Sequence, residues 1–229
     1  MVPRKNLNLL RLAEEIRDLT QRVVDHLDHT NTQDLDFSAD SADVPTSAEY
    51  NALRSQLNDA TADLTQLVNG PKNHFRDFFS THHELAAFQI AFDFDIFMLC
   101  PQDGTTDIDT LADKTGLERD LIHRAMRLMC LHHVFTEVSE GCFSHTHASI
   151  TIARSEGLKA AAGYQLDEFF QAASQTASSL RHNISKSPEE STSTPFQLAH
   201  GATLFDFYAT RPKRAVRFAR AMVGISLRT

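Results

Sequence analysis

The sequence has few cysteines, no long uninterrupted apolar run and no excess of basic charge, and each shortage argues against a class of protein. Three scattered cysteines are too few for a disulfide framework, so we expect free thiols in a reducing compartment. The longest apolar stretch, LAAFQIAFDFDIFMLC, is broken by one Gln and two Asp, which argues against a membrane span. The N-terminal sequence carries charge every few residues, unlike a signal peptide, so we expect a cytoplasmic chain.

The N-terminal third contains two helical patterns, each with a narrow apolar stripe that we call a seam. An acidic segment rich in Ser and Thr separates them. Apolar residues recur at three- and four-residue steps over about 5–28 and again over 53–67, where a Thr46–Glu49 capping box precedes and an Asn-Gly-Pro turn signal follows. The segment at about 29–45 lacks periodicity and is predicted to be a disordered linker. Seams this narrow indicate either a helical dimerisation arm or helices that fold back onto the chain.

The middle of the chain combines three helical patterns with a hairpin pattern. The aromatic-faced HHELAAFQIAFDFDIFMLC is followed by a short helix that ends at Gly116 and by a widely striped helix, LERDLIHRAMRLMCLHHV. Two alternating runs, Phe135–Val138 and Cys142–Thr146, then flank Ser139, Glu140 and Gly141 and predict a hairpin. Three helices followed by a hairpin are typical of a winged helix.

The predicted fold class is therefore mainly α, a winged-helix domain with additional N- and C-terminal helices. We expect this domain at residues 70–150, after a helical arm at 1–69. Residues 151–229 are predicted to be a helical segment, with two helices in the block that begins PFQLAHG. Pro212 stands where a first-turn proline is tolerated.

A winged helix raises the possibility of DNA binding, which the charge pattern does not favour. The third helix carries Arg119, Arg124 and Arg127, but Glu118 and Asp120 are interleaved with them. The net charge of −8 and a pI near 5.8 also oppose phosphate binding, which needs a consistently basic face. We therefore expect no direct contact with nucleic acid.

Twelve histidines raise the alternative of a metal site. His145 and His147 lie two residues apart at the end of a predicted strand, and His132 and His133 are close in sequence. Zinc needs three or four convergent ligands, and neither a CxxC nor an HExxH motif supports these histidines. We predict no metal ligand.

Three blocks in a fixed order resemble a known family: HHELAAFQIAFDFDIF, LADKTGLERDLIHRAMRLMCLHHVF and RPKRAVRFARAM. They are similar to the N-terminal part of fungal S-adenosylmethionine-dependent small-molecule O-methyltransferases, over roughly Gly70 to Met222. The resemblance implies that the winged-helix portion pairs two subunits and helps to cover the substrate pocket. It also implies that a separate Rossmann-like domain binds the cofactor and supplies the catalytic histidine.

That cofactor domain is not expected in this sequence. None of the eight glycines has a partner at GxG spacing, and no alternating βα pattern could build a parallel sheet. We therefore predict no catalytic residue, no cofactor-binding residue and no bound S-adenosylmethionine.

Four functions remain open at this point. The leading hypothesis is a truncated O-methyltransferase-like protein of a secondary-metabolite pathway, without methyl-transfer activity of its own. It would form a homodimer, or a heterodimer with a related methyltransferase or pathway protein. The alternatives are an auxiliary regulator of a pathway transcription factor, for which a nuclear location is possible, a cofactor-independent isomerase or cyclase, and an incomplete gene model of an active O-methyltransferase.

Four residues are candidates for contact with an aromatic or polyketide small molecule: His82, His83, Phe88 and Phe169. The histidines begin the aromatic helix, in a region that borders the substrate pocket of similar enzymes. Phe88 lies on the aromatic face of that helix, and Phe169 lies in a later apolar helix. The alternatives are helix-capping or surface positions for the histidines and core packing for Phe169.

Overall fold

The computed structural model of the chain describes residues 8–184 and 193–226. The chain consists of two compact units with their boundary between His83 and Glu84, and most contacts lie within a unit. The mainly-α prediction is confirmed, because helices dominate both units and the strands of the described ranges form one small sheet. No described helix is both long enough and apolar enough to cross a membrane.

The first unit contains α1 (Leu9–His29) and the first part of α2 (Ala48–Asp93). The two predicted seams pack against each other, with Leu12 and Leu19 buried beside Leu53 and Ala60. Helix α1 begins after Asn8, whose side chain accepts a hydrogen bond from the Arg11 N–H, and the predicted start at residue 5 lies outside the described residues.

The start of α2 corrects the predicted capping box. The helix begins at Ala48, so the N-cap is Ser47 rather than Thr46, and the Ser47 hydroxyl accepts the Tyr50 N–H at 3.1 Å. Gly70 has φ 64° and ψ 170°, which interrupts α2 at the predicted Asn-Gly-Pro signal. The helix resumes at Pro71, a residue that suits the first turn of a helix because it needs no N–H partner.

The segment between α1 and α2 contains no helix. A local turn lies within it, where the Asp36 N–H donates to the Ser41 hydroxyl at 3.0 Å. Its predicted disorder stays a prediction, as do the predicted domain limits at 69/70 and 150/151.

The second unit begins with the end of α2 and a set of short elements: α3 (Ile96–Leu99), β1 (Thr106–Asp107), α4 (Ile108–Thr115), α5 (Arg119–Leu131), β2 (Phe135–Ser139) and β3 (Cys142–His145). The predicted hairpin is β2–β3, and the sheet order is β1–β3–β2 with antiparallel pairing throughout. Strand β1 was not predicted, because two residues are too few for an alternating pattern. Helix α4 ends at Gly116 as predicted, with φ 71°.

A sheet core, defined as the buried residues between these helices and the sheet, holds this part together. It is centred on Ile122, Met126, Phe135 and Phe143, each at most 1% exposed. The wide apolar stripe of α5 packs against the inner face of the hairpin. The predicted amphipathic helix and alternating strands therefore share one core.

The rest of the described chain is mainly helical. Its elements are α6 (His147–Arg154), α7 (Glu156–Tyr164), a π turn (Gln165–Phe169), α8 (Phe170–Ser174), α9 (Thr176–Asn183), α10 (Pro195–His200), α11 (Leu204–Ala209) and α12 (Pro212–Ser226). The prediction of two helices in the last block is wrong. Gly201, with φ 71°, ends α10, and Thr203 caps α11 two residues later. Pro212 is the first residue of α12, as expected.

Candidate functional site

The π turn is the least regular part of the helix that runs from α7 into α8. The Phe170 N–H donates to the Gln165 carbonyl, five residues back, so this turn holds one residue more than an α-helical turn. Two consecutive acids, Asp167 and Glu168, lie in the turn, and the side chain of Glu168 is completely buried. π turns inside α-helices are frequent at functional sites, which draws attention to these acids.

Two arginines of α12 pair with both acids. Arg217 Nη2 lies 2.7 Å from Asp167 Oδ2 and 2.7 Å from Glu168 Oε1. Arg214 Nη1 lies 2.8 Å and 3.2 Å from the same two oxygens. These four residues form an acid–arginine cluster that ties α12 to the π turn. Charge-assisted contacts in a partly buried place are stronger than exposed ion pairs.

Several polar atoms at the cluster lack a hydrogen-bond partner among the described residues. Glu168 Oε2, Arg217 Nε and the Tyr208 hydroxyl are all inaccessible to solvent and unbonded. Burial, and then the charge of Glu168, raises the pKa of the Tyr208 phenol, so the hydroxyl stays protonated. An unbonded buried polar group costs about 1–3 kcal/mol, so three such groups together are a considerable local cost.

Asp93 lies at the exposed rim of the cluster. Partial loss of hydration, and then the charge of Asp167, raises the pKa of the Asp93 carboxyl, while Arg217 and Arg214 act in the opposite direction. The three acids outnumber the two arginines, so the site is acidic when all of them are ionised.

Aromatic rings surround the cluster. Tyr164 and Phe169 have ring centroids 4.6 Å apart, and Tyr208 stacks on Phe218 at 4.8 Å. His200 fixes the π turn from another side, because its Nε2–H donates to the Glu168 carbonyl at 2.9 Å. The residues of the cluster and its rings include no activated nucleophile.

The structure places the four predicted pocket residues in different surroundings. His82 and His83 are exposed, their rings 3.9 Å apart, at the end of the first unit. Phe88 packs against the sheet core, whereas Phe169 lies among the aromatic residues beside the cluster. Phe169 alone lies beside the acid–arginine cluster, and a ligand contact for any of the four stays a prediction.

Three of the four basic residues of α5 are paired with acids, and the fourth, Arg124, donates to the backbone carbonyl of Asp120. Arg119 contacts Asp109 at 2.6 Å, and both His123 and Arg127 face Glu137, at 3.3 Å and 3.6 Å. A hydrogen bond from the Gly141 N–H is the main reason that the pKa of the Glu137 carboxyl is lowered. Local acids therefore offset much of the positive charge that this helix could present to phosphates.

The described residues give little support to a metal site or to a reactive cysteine. No group of three or more potential ligands converges there, and His145 is buried in β3 while His147 begins α6. Burial raises the pKa of the Cys100 thiol to about 12 and that of Cys130 to about 11, so both thiols are protonated at neutral pH. A protonated thiol is a poor nucleophile and a poor metal ligand.

The described residues do not fit the dinucleotide-type cofactor site that a Rossmann-like domain provides. Within 8–184 and 193–226 the sheet is antiparallel, and its hairpin turn contains one glycine, Gly141. Such a site needs a parallel strand that leads through a glycine-rich turn into a helix.

The order of these elements has counterparts in known proteins. O-methyltransferase sol2 of Alternaria solani is 36% identical over 215 residues, which cover 94% of this chain and 50% of sol2. Nearly all of this chain is similar to fungal O-methyltransferases. A second relative, O-methyltransferase phnC of Penicillium herquei, is 30% identical over 95% of this chain and 52% of its own length. The chain spans about half the length of these curated relatives.

A solved structure supports the same fold. OxaC, in complex with SAH and oxaline, has a TM-score of 0.75 at 20% identity, with 94% of this chain and 50% of OxaC covered. At that identity the likeness concerns the fold alone. The chain matches no protein-family model.

Sequence reasoning found Phe169 but missed the acids next to it. The contacts of Glu168 with Arg214 and Arg217 join residues 46 and 49 positions apart, which no helical periodicity can reveal. Two signals were available. One is an acidic pair inside the apolar run GYQLDEFF, and the other is a pair of arginines three residues apart on the last helix.

Proposed function

We propose that this chain forms the subunit-pairing and substrate-covering part of an O-methyltransferase-like protein of secondary metabolism. The observation that carries the proposal is the similarity to fungal O-methyltransferases along 94% of the chain but only half of the relatives. We further propose that residues 1–229 do not transfer a methyl group by themselves. The lack of a cofactor cradle in the described residues supports this second point.

The pairing role is supported by an aromatic stripe on α2. Phe75, Phe78 and Phe79 are each more than half exposed, and their three- and four-residue spacing puts them on one face of the helix. The rings of Phe75 and Phe79 stack with centroids 5.7 Å apart. Contiguous exposed aromatic residues mark protein interfaces more often than single ones, and a second subunit would remove this stripe from water.

Sedimentation of the purified chain tests pairing. We expect a dimer at micromolar concentration and at least a tenfold weaker dimer for the double variant F78S/F79S. The variant F205S is the matched control, because Phe205 is 78% exposed on α11, away from the stripe in sequence. A monomeric wild-type chain, or a double variant that dimerises like wild type, contradicts the proposed pairing surface.

Calorimetric titration with S-adenosylmethionine tests the second point. We expect no heat of binding from the 229-residue chain, with a full-length fungal O-methyltransferase as the positive control. Binding at micromolar strength would show that the chain holds a cofactor site of its own, and the proposal would then be wrong.

A further inference from the structure

The part of α2 that carries the aromatic stripe has almost no cover from its own chain. Every residue of 71–83 except His74 is exposed. Phe75, Phe78 and Phe79 are 52%, 65% and 67% exposed. A short helix without tertiary packing is marginally stable in water, and the proposed second subunit would supply that packing. The polar residues on the same side of the helix would therefore enter the interface together with the rings.

His82 lies on the aromatic side of this helix. An α-helix turns by about 100° per residue, which puts His82 within about 60° of all three phenylalanines around the helix axis. Phe75, Phe78 and His82 follow one another at three- and four-residue steps, the spacing of residues that share a face. Among the titratable groups of 71–83, His82 is the one nearest to the middle of the stripe.

The hydrogen bond of His82 determines which ring nitrogen can take up a proton. Nδ1 of His82 lies 2.8 Å from the carbonyl oxygen of Phe79. A carbonyl accepts hydrogen bonds and cannot donate them, so Nδ1 carries the proton of the neutral ring. A second proton therefore binds to Nε2, on the far side of the ring from that hydrogen bond. Protonation adds a donor and a positive charge at the exposed end of the side chain.

The acids nearest to His82 in sequence are not placed to neutralise this charge. Asp77 lies about 140° from His82 around the helix axis and contacts Arg76 at 3.4 Å. Glu84 contacts His132 of the second unit at 3.3 Å. A protonated His82 would therefore face a second subunit without an acid of its own helix beside it.

The other titratable groups beside the stripe are basic. The ring of His83 lies 3.9 Å from the ring of His82, and Lys72 and His74 lie on the two flanks of the stripe. An isologous pair brings the same patch of both copies together, so each copy contributes these four residues to the contact or its edge. With neutral histidines, Lys72 is the charged residue of the four. Protonation of the histidines would bring like charges together in a place that excludes water, where repulsion and charge burial are costly.

We propose that the charge of His82 controls pairing: two copies of the chain pair through the aromatic stripe while His82 is neutral and separate when its ring is protonated. This inference rests on the proposed pairing function and adds the regulation of that surface. Histidine is the side chain that ordinarily changes charge between pH 5 and 8. Because pairing favours the neutral ring, it should be complete at the upper end of that range and should be lost as the pH falls.

Sedimentation equilibrium of the full chain at pH 7.5 and pH 5.5, at one ionic strength, tests the inference. We expect the dissociation constant of the wild-type dimer to rise about tenfold at pH 5.5, because each copy then brings a new positive charge into the contact. Circular dichroism at both pH values measures whether the helices stay folded.

Two variants at this exposed position separate the effect of charge from that of shape. H82Q keeps a polar side chain that does not titrate, so its dimer should weaken about twofold or less between pH 7.5 and pH 5.5. H82K is positively charged at both pH values and should pair about tenfold more weakly than wild type at pH 7.5.

The matched control is H29Q, because His29 is an exposed histidine of α1 in the same unit. It should keep the wild-type response to pH. Any acid unfolding of the second unit affects H82Q and wild type alike, so a difference in pairing between these two proteins reports the stripe.

The inference and the proposed function fail in distinguishable ways. A wild-type dimer that is as strong or stronger at pH 5.5, an H82Q dimer with the wild-type pH response, or an H82K dimer of wild-type strength overturns the control by His82 and leaves the pairing role standing. A wild-type chain that is monomeric at both pH values contradicts the pairing role itself, and this inference with it.

Discussion

The sheet core and the acid–arginine cluster belong to the same unit but differ in how completely their buried polar groups are hydrogen-bonded. Beside the sheet core, His145 Nδ1 lies 2.8 Å from the Ser149 hydroxyl, and Thr146 donates its hydroxyl to the Val134 carbonyl at 2.7 Å. At the cluster, Glu168 and Tyr208 retain unbonded atoms. Complete pairing stabilises a fold, whereas each unbonded buried group costs free energy that other contacts must offset.

The largest effect is expected from the sheet core. Replacing Phe143 by Ala should lower the free energy of unfolding by about 3–5 kcal/mol, because the ring is fully buried and leaves a cavity. Urea denaturation followed by circular dichroism measures this loss. Phe205→Ala is the control and should change stability by at most about 0.5 kcal/mol, since that ring is exposed. Similar losses for both variants would show that Phe143 is not a core residue.

A smaller loss is expected at the cluster. Arg217→Met leaves the buried carboxylate of Glu168 with Arg214 alone and should lower the free energy of unfolding by about 3 kcal/mol. The double variant E168L/R217M removes the uncompensated charge and should recover part of that loss. Denaturation of both variants at the same pH measures the difference. A double variant less stable than R217M would mean that Glu168 stabilises the fold without its arginine.

The two regions should also respond differently to acid. Burial lowers the pKa of His145 below its usual 6.5, so the unfolded chain takes up a proton before the folded chain does. The stability that the neutral ring contributes is complete above about pH 6.5 and is lost as the pH falls toward the lower folded value. Unfolding measured between pH 7.5 and 5.5 should show this slope, and His145→Asn should reduce it. An unchanged slope in the variant would assign the acid sensitivity to another group.

Asp93 should give the smallest effect and one of opposite sign. Its folded pKa is raised above 3.8, so its contribution is present at low pH and is lost as the pH rises through the folded value. Asp93→Asn removes an ionised carboxylate beside Asp167 and should raise stability at pH 7 by at most about 0.5 kcal/mol, because the position is exposed. Thermal unfolding at pH 7 and pH 4 checks the sign: the gain should shrink at pH 4. A variant less stable than wild type at pH 7 contradicts the predicted repulsion.

The elements that the sequence predicts correctly are those set by local rules. The seams of α1 and α2, the stop of α4 at Gly116 and the β2–β3 hairpin each follow from spacing or turn chemistry within a short window. The errors arise where neighbours compete. Ser47 replaces Thr46 as the N-cap because the helix starts one residue later. The block that begins PFQLAHG is predicted to hold two helices and holds three, because Gly201 ends α10.

The candidate site could not be predicted in the same way. Asp167 and Glu168 meet Arg214 and Arg217 only because α12 packs along α7, and that packing brings together residues far apart in sequence. The pocket candidates came from resemblance and local position. His82, His83 and Phe88 accordingly share no described cluster with Phe169.

The π turn changes the direction in which the side chains of the following helix point. An α-helix turns by about 100° per residue. One residue more in this turn therefore rotates the side chains of α8 about the helix axis by that angle, relative to an unbroken helix. Deleting a single residue from Gln165–Phe169 would restore regular geometry and turn the acids away from Arg214 and Arg217. A related sequence that is one residue shorter here should therefore lack this cluster, and alignments can be sorted by that single gap.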